Sequence, residues 1–184
     1  MAKLLDFKLF TYLRADLSRA SWLINGSNCR YTGLRLWLGI FSFRFLPVLL
    51  YRISYLFYYL NINPIAKIFS VLNFFLFGIE ISIRCHIGKG LFLPHTHGTV
   101  IGAWIIGENA TIFQGVTIGA RELDFDYKED NRPKIHDGVI IGAGAKVIGG
   151  ITIGSNARIG ANAVVIDDVP PSSLAVGVPA RIIV

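Results

Sequence analysis

Four histidines, His86, His95, His97 and His136, are the side chains of this 184-residue chain best suited to move protons near neutral pH. An alcohol is almost wholly protonated there, so chemistry at a hydroxyl needs a base, and imidazole is the natural one. His136 follows the aliphatic residue that leads a regular repeat and reads as a corner residue; His86, just before Ile87, reads the same way. His95 and His97 stand in LPHTHG, where that repeat is disturbed, and a break in a regular pattern is where function is expected. These two are the candidates for acid/base work. The two cysteines, Cys29 and Cys85, form no metal-ligand pattern and are too few for a disulfide framework. They read as buried thiols in a reducing compartment.

The elements that must position these side chains repeat with a period of six. From Ile135 the chain reads IHDGVI, IGAGAK, VIGGIT, IGSNAR, IGANAV, VIDDVP, with the leaders Ile135, Ile141, Val147, Ile153, Ile159 and Val165. Four residues after each leader stands a small or β-branched side chain: Val139, Ala145, Ile151, Ala157, Ala163 and Val169. The phase recurs at Ile106, Ile112 and Ile118, and more raggedly at Ile87 and Leu93. Six is neither the helical period nor that of a simple amphipathic strand. It suits a solenoid in which three hexads make one triangular turn of about 18 residues, with leaders inward and Gly or Asn at the corners, as at Gly154, Asn156, Gly160 and Asn162. The spacing predicts roughly five coils between Ile81 and Val169.

Upstream the character changes. Residues 1–80 carry nine cations and three acids, while the remainder is neutral, so the whole net charge of +6 sits on an apolar N-terminal part. That pairing fits an anionic membrane surface better than a nucleic-acid groove, and no nucleic-acid partner is expected. The longest uncharged runs, Ile53 to Ala66 and Ile68 to Ile79, fall short of the roughly 18 to 20 apolar residues of a spanning helix. No signal peptide is visible, which predicts a cytoplasmic protein, with peripheral contact on the inner membrane face as one use of its helices and packing between helices or subunits as the other. Leu4, Leu5, Phe7, Leu9, Phe10 and Leu13 suit a one-sided helix; a second helical region, Leu34 to Leu60, is punctuated by Pro47; a third runs from Pro64 to about Phe77 and stops at Gly78. The expected division is a helical region, 1–80, and a solenoid, 81–184, with a loop over 120–134.

The hexads, with the ending DDVPPSSLAVGVPARI, resemble the hexapeptide-repeat acyltransferases. LFGIEI (76–81), IGKGLFLPHTHGTVIG (87–102), IFQGVTIG (112–119) and PKIHDGVIIGAGAKVIGGI (133–151) place the resemblance in the serine acetyltransferase group. It implies a left-handed parallel β-helix preceded by α-helices, acetyl-CoA as co-substrate, no metal, and a homotrimer with the donor lying between subunits. By the same resemblance His95 falls on the catalytic histidine and Glu80 on the carboxylate that orients it, with Glu standing where serine-using members usually have Asp. Fifteen residues separate the two, a little under one coil. Gly119, Ala120, Ala143 and Ala161 match donor-site positions where small residues allow close approach; Arg158 replaces a lysine near the nucleotide phosphate, and Lys146 and Arg181 are further cations for it.

Two departures bear on the acceptor. Pro94 replaces an aspartate that grips the amino acid, and Asn131-Arg132 replace an Arg-His pair. The 11-residue excursion Glu122 to Arg132 offers Tyr127 and Phe125 for stacking on a sugar ring and Asp124, Asp126 or Arg132 for its hydroxyls, with His97 as a further contact. The resulting expectation is an acetyl-CoA-dependent O-acetyltransferase acting on a saccharide hydroxyl in surface polysaccharide biosynthesis, similar to colanic-acid and capsular enzymes. The alternatives are serine O-acetylation for cysteine synthesis and a non-catalytic or metal-dependent hexapeptide scaffold.

Overall fold

The structure, a computed structural model, describes residues 8–26, 33 and 38–183. Among these, three α-helices precede the repeats: α1 (Leu9–Asn25), α2 (Leu46–Tyr59) and α3 (Asn63–Phe77). Pro47 and Pro64 both sit in first turns, where a missing N–H costs nothing. Within the expected second helical region, α2 begins at Leu46 with Pro47 in its first turn, Gly39–Phe41 forms a 3-10 turn, and residues 34–37 lie outside the described part. Leu4, Leu5, Phe7 and Cys29 also lie outside it. The α3 helix ends where Gly78, at φ 62°, donates its N–H to the Phe74 carbonyl.

Three sheets then wind along one axis. The first stacks β1 (Ile79–Ile81), β3 (Thr99–Ile101), β6 (Thr117–Gly119), β9 (Lys146–Ile148) and β12 (Val164–Val165). The second stacks β2 (His86–Ile87), β4 (Ile105–Ile106), β7 (Lys134–Ile135) and β10 (Thr152–Ile153). The third stacks β5 (Thr111–Ile112), β8 (Ile140–Ile141), β11 (Arg158–Ile159) and β13 (Leu174–Val176), closed by an antiparallel β14 (Arg181–Ile183). All other pairings are parallel. Register puts leader on leader: Ile81, Ile101, Ile118, Val147 and Val165 form one inward column, and Ile87, Ile106, Ile135 and Ile153 another. Each of these is buried, as are the residues four places on, Val139, Ala145, Ile151, Ala157, Ala163 and Val169. A buried leader contributes about 1.5–3 kcal/mol, and the corners turn because Asn109, Asn156 and Asn162 adopt positive φ.

The helices join the same buried cluster as the coils, through Leu13, Leu17, Val48, Tyr51 and Tyr55. Polar clamps fix their orientation. The Asp16 carboxylate accepts from Arg52 Nε (2.8 Å) and Nη2 (3.1 Å) and from the backbone N–H groups of Gly90 (2.6 Å) and Leu91 (2.9 Å). Arg52 also donates to the carbonyls of Ile87 (2.6 Å) and Gly88 (2.7 Å), and both side chains are fully buried. Arg19 adds bonds to the Gly90 and Ala110 carbonyls and to Thr111 Oγ1.

Beside this clamp Cys85 is buried, and burial pushes its thiol up to about 12. His86, read as a corner residue, instead lies buried in β2, where its role is structural: its Nδ1 lies 2.9 Å from the Tyr55 hydroxyl. Burial, reinforced by the Arg52 charge, lowers its pKa below the usual 6.5. Below that pH the unfolded chain binds the proton more readily than the folded one, so His86 lowers stability as pH falls through and beneath 6.5. The urea midpoint of the wild type is expected to drop between pH ~7.5 and ~5.5, and by less in His86→Gln.

Candidate active site

Going from the third sheet to the first, the chain turns a corner once per coil, and these corners stack through backbone hydrogen bonds. Gly98 donates to the Gly78 carbonyl (2.9 Å), Gly115 to His97 (3.0 Å), Gly144 to Gln114 (2.8 Å) and Asn162 to Ala143 (2.8 Å). One column thus carries His97, Gln114, Ala143 and, beside Asn162, Ala161. The break in the repeat that singled out LPHTHG opens the lower end of this column. Thr96 Oγ1 donates to the Phe77 carbonyl (2.8 Å), tying the Pro94–Gly98 turn to the end of α3.

That turn lines a groove of about 920 Å³ with His95, Thr96, His97, Gly98 and Gln114 on one side and Phe43, Arg44, Phe74, Phe75 and Leu76 on the other. Both histidines are exposed in the chain. Glu80 is exposed in the middle of β1, opposite Val100, and among the described residues no hydrogen bond or ion pair joins it to His95 or His97. The imidazole packed against the base of the column is that of His97: a Cβ on Gly78 would lie 2.7 Å from its Nδ1. Gly78 also needs its positive φ, so Gly78→Ala is expected to destabilise the chain by about 1–2 kcal/mol and to displace His97. A thermal melt reads the first effect, and a change in acceptor KM with unaltered acetyl-CoA KM reads the second.

One groove residue escaped the reading of the sequence. Gln114 Oε1 is buried with no hydrogen-bond donor. Its position, directly after the hexad leader Ile112 and Phe113, is indistinguishable by type from any other corner residue, so the repeat pattern concealed it.

The loop between β6 and β7 lies at the opposite edge of the first sheet. Arg132 donates through Nε to Asp124 Oδ2 (2.8 Å), through Nη2 to the Asp124 carbonyl (2.9 Å) and through Nη1 to the Gly102 carbonyl (2.8 Å). Its guanidinium stacks 3.7 Å over the Tyr127 ring, and Tyr127 donates its hydroxyl to the Ala103 carbonyl at 2.7 Å. Asp124, Tyr127 and Arg132 therefore hold the loop on the solenoid, and their side chains are not presented to a saccharide in the way their types suggested. Leu123 and Phe125 point outward, 88% and 85% exposed.

The seven positions matched to a donor site are also spread across two edges. Ala143 and Ala161 sit in the histidine column, with Arg158 exposed in the strand leading to it. Lys146 follows on β9, where its Nζ donates to the Gly115 carbonyl (2.7 Å) and Thr117 Oγ1 (3.1 Å). Gly119 and Ala120 lie across the first sheet, and a Cβ on Gly119 would meet nothing within 4 Å. Arg181 is exposed on the terminal antiparallel strand.

Residues 132–167 match the family model described as bacterial transferase hexapeptide (six repeats). A serine acetyltransferase from Helicobacter pylori J99 is 42% identical over 137 residues, 74% of this chain and 78% of the relative. One from Bacillus pumilus SAFR-032 is 42% identical over 135 residues, 73% of this chain but 61% of the relative. The crystal structure of serine acetyltransferase from Neisseria gonorrhoeae superposes with a TM-score of 0.82 at 35% identity, over 97% of this chain and 66% of its own. A serine acetyltransferase solved in complex with CoA gives 0.80 at 29% identity, over 95% and 69%. The chain thus spans less than two thirds of the length of the Bacillus pumilus relative and about two thirds of the Neisseria gonorrhoeae protein. The expected saccharide specificity is overturned by these relatives, which are named for serine, and the resemblance to colanic-acid and capsular enzymes is not supported. The physical source of the error is the loop, where Asp124, Tyr127 and Arg132 are spent on internal contacts and, of the side chains expected to meet a sugar, only Phe125 and Asp126, paired loosely with Lys128 at 3.6 Å, stay exposed. With 42% identity covering 78% of the Helicobacter pylori relative, the chain belongs to the serine acetyltransferase family of hexapeptide transferases.

Proposed function

We propose that this chain transfers the acetyl group of acetyl-CoA to the hydroxyl of serine. The observation that carries the reading is the column: a histidine-bearing turn opens the groove, and small corner residues continue from it along the axis. In the proposed reaction His95 takes the hydroxyl proton as the oxygen attacks the thioester carbonyl. The tetrahedral intermediate collapses with cleavage of the C–S bond, and the imidazolium returns its proton to the departing CoA thiolate. Glu80, rotated from its exposed position, would steady the imidazolium. The pantetheine arm would follow Ala143 and Ala161, and Lys146, Arg158 and Arg181 supply cations for its phosphates.

A donor site using Gly119 and Ala120 as well needs both edges of the first sheet, which one chain cannot bring together across a β-strand. Packing of the column edge of one protomer on the loop edge of the next would unite them, which supports a homotrimer. A left-handed coil of residues 81–184 belongs to the same reading, supported by the structural neighbours.

The serine carboxylate and ammonium need partners, since Arg132 is committed to Asp124 and Pro94 carries no charge. Arg44 is the cation lining the histidine groove, and Gln114 Oε1 is the acceptor in need of a donor. Leaving that oxygen unmade costs about 1–3 kcal/mol, which an ammonium N–H would recover. Gln114→Leu is accordingly expected to raise the serine KM by roughly tenfold with the acetyl-CoA KM unchanged, read by thiol release at varied serine. The reading itself is tested by thiol release from acetyl-CoA with L-serine as sole acceptor. Serine-dependent release supports it; release equal to the no-acceptor control, from protein that binds acetyl-CoA, overturns it.

A further inference from the structure

One hydroxyl on the outer side of the first sheet has no acceptor for its proton. In β6, Ile118 points inward while Thr117 and Gly119 lie half-buried on the outer side. Register stacks Glu80, Val100, Thr117, Lys146 and Val164 in one column there. Lys146 Nζ donates to Thr117 Oγ1 at 3.1 Å and to the Gly115 carbonyl at 2.7 Å. An ammonium donates and cannot accept, so this bond uses a lone pair of Thr117 and leaves its O–H free. Val100, the neighbour below, has no acceptor in its side chain, and among the described residues nothing accepts the Thr117 proton.

The level of this hydroxyl in the solenoid decides what it can meet. Gly115 donates to the His97 carbonyl and Gly144 to the Gln114 carbonyl. Thr117, two residues after Gly115, therefore lies one coil above the turn that carries His95 and His97 and one coil below Ala143. Glu80 is two rungs beneath it, about 10 Å away at the ordinary strand spacing. The proposed base and its carboxylate thus lie below Thr117, and the small residues proposed for the donor arm begin above it. A thioester reaching from that arm to a hydroxyl held by His95 has its carbonyl between these levels. Gly119, where a Cβ would meet nothing within 4 Å, leaves the same face open.

We infer that the Thr117 hydroxyl donates to the oxygen of that carbonyl, an assignment that rests on the proposed acetyl transfer from acetyl-CoA to serine. As the serine oxygen bonds to the carbonyl carbon, an electron pair moves onto the carbonyl oxygen, and the Thr117 O–H stabilises that charge without giving up its proton. His95 holds the serine proton and returns it to the thiolate when the C–S bond breaks. Lys146 acts through Thr117 as a positioning residue, because its N–H fixes the hydroxyl rotor and strengthens the O–H as a donor. Its third N–H and its charge remain for the donor phosphates.

The test is thiol release from acetyl-CoA at varied L-serine by the full chain and its variants. Thr117→Val, of nearly the same shape, is expected to lower kcat about 10²-fold, with thermal melting and acetyl-CoA affinity by calorimetry unchanged. Thr117→Ser, which keeps the hydroxyl, is expected to return kcat to within about fivefold of the wild type. Lys146→Met is expected to lower kcat about tenfold in the wild type and by less than about twofold in Thr117→Val, where the hydroxyl it positions is gone. Wild-type kcat in Thr117→Val would overturn the assignment. A raised acetyl-CoA KM with kcat unchanged would overturn it too, by placing the hydroxyl on the pantetheine arm. A wild type that binds acetyl-CoA yet releases no thiol with serine would overturn the serine reading and this assignment together, so the wild type tells the two failures apart.

Discussion

Replacement of His95 by alanine is expected to lower turnover by about 10²- to 10⁴-fold, the scale of a lost general base. The reason lies in the acceptor rather than the donor. A thioester is already reactive, whereas a serine hydroxyl at neutral pH holds its proton and attacks poorly until a base removes it. His95 is exposed in the turn that lines the groove, so its removal takes away no buried packing. The expected signature is therefore a fall in kcat with folding, measured by thermal melting, and acetyl-CoA binding, measured by calorimetry, both intact. Retention of wild-type turnover would remove His95 from the role. The same measurement on His97→Ala separates the two imidazoles: His97 packs against Gly78 at the foot of the column, and its loss is expected to act chiefly on acceptor KM.

The largest effect on stability is expected from Asp16→Ala, at about 3–5 kcal/mol. The aspartate is fully buried and receives four hydrogen bonds, two from Arg52 and two from the backbone of Gly90 and Leu91. Truncation leaves a buried guanidinium without its counter-ion and two N–H groups without acceptors. Arg52→Met removes the opposite charge and leaves the carboxylate buried, so it too should destabilise strongly. The double variant Asp16→Ala/Arg52→Met is expected to recover part of the loss, because no uncompensated charge is left. Denaturant midpoints of the three variants test this. Additive losses would mean that the two side chains do not act as a pair. Because the clamp joins α1 and α2 to the Ile87–Leu91 segment, which leads into the Pro94–Gly98 turn, partial loosening should also reduce activity before the coil itself unfolds.

The repeat was legible in the sequence because its physics is local and reiterated. Each hexad buries one leader and one small partner, so the period, the inward residues and the stacking of Ile135 on Ile153 could all be read in order along the chain. The interest of LPHTHG followed from the same regularity, whereas His86, read as a corner, lies buried in β2 against Tyr55. What the sequence could not convey was which polar side chains face each other. Asp124, Tyr127 and Arg132 have the types of a binding rim, yet Arg132 reaches back eight residues to Asp124 and across to Gly102 and turns them inward. Gln114, with the type of a corner residue, lies in the groove with an unmet acceptor. Asp16 and Arg52 look like ordinary charges of an amphipathic stretch and prove to be the buried joint between helices and coil. Burial of apolar side chains is non-directional and leaves a periodic trace, so sequence alone determined the solenoid, its core and the histidine turn. Hydrogen bonds and ion pairs are directional and join distant residues, so only the tertiary structure decided which charged groups are structural and which remain to meet a substrate.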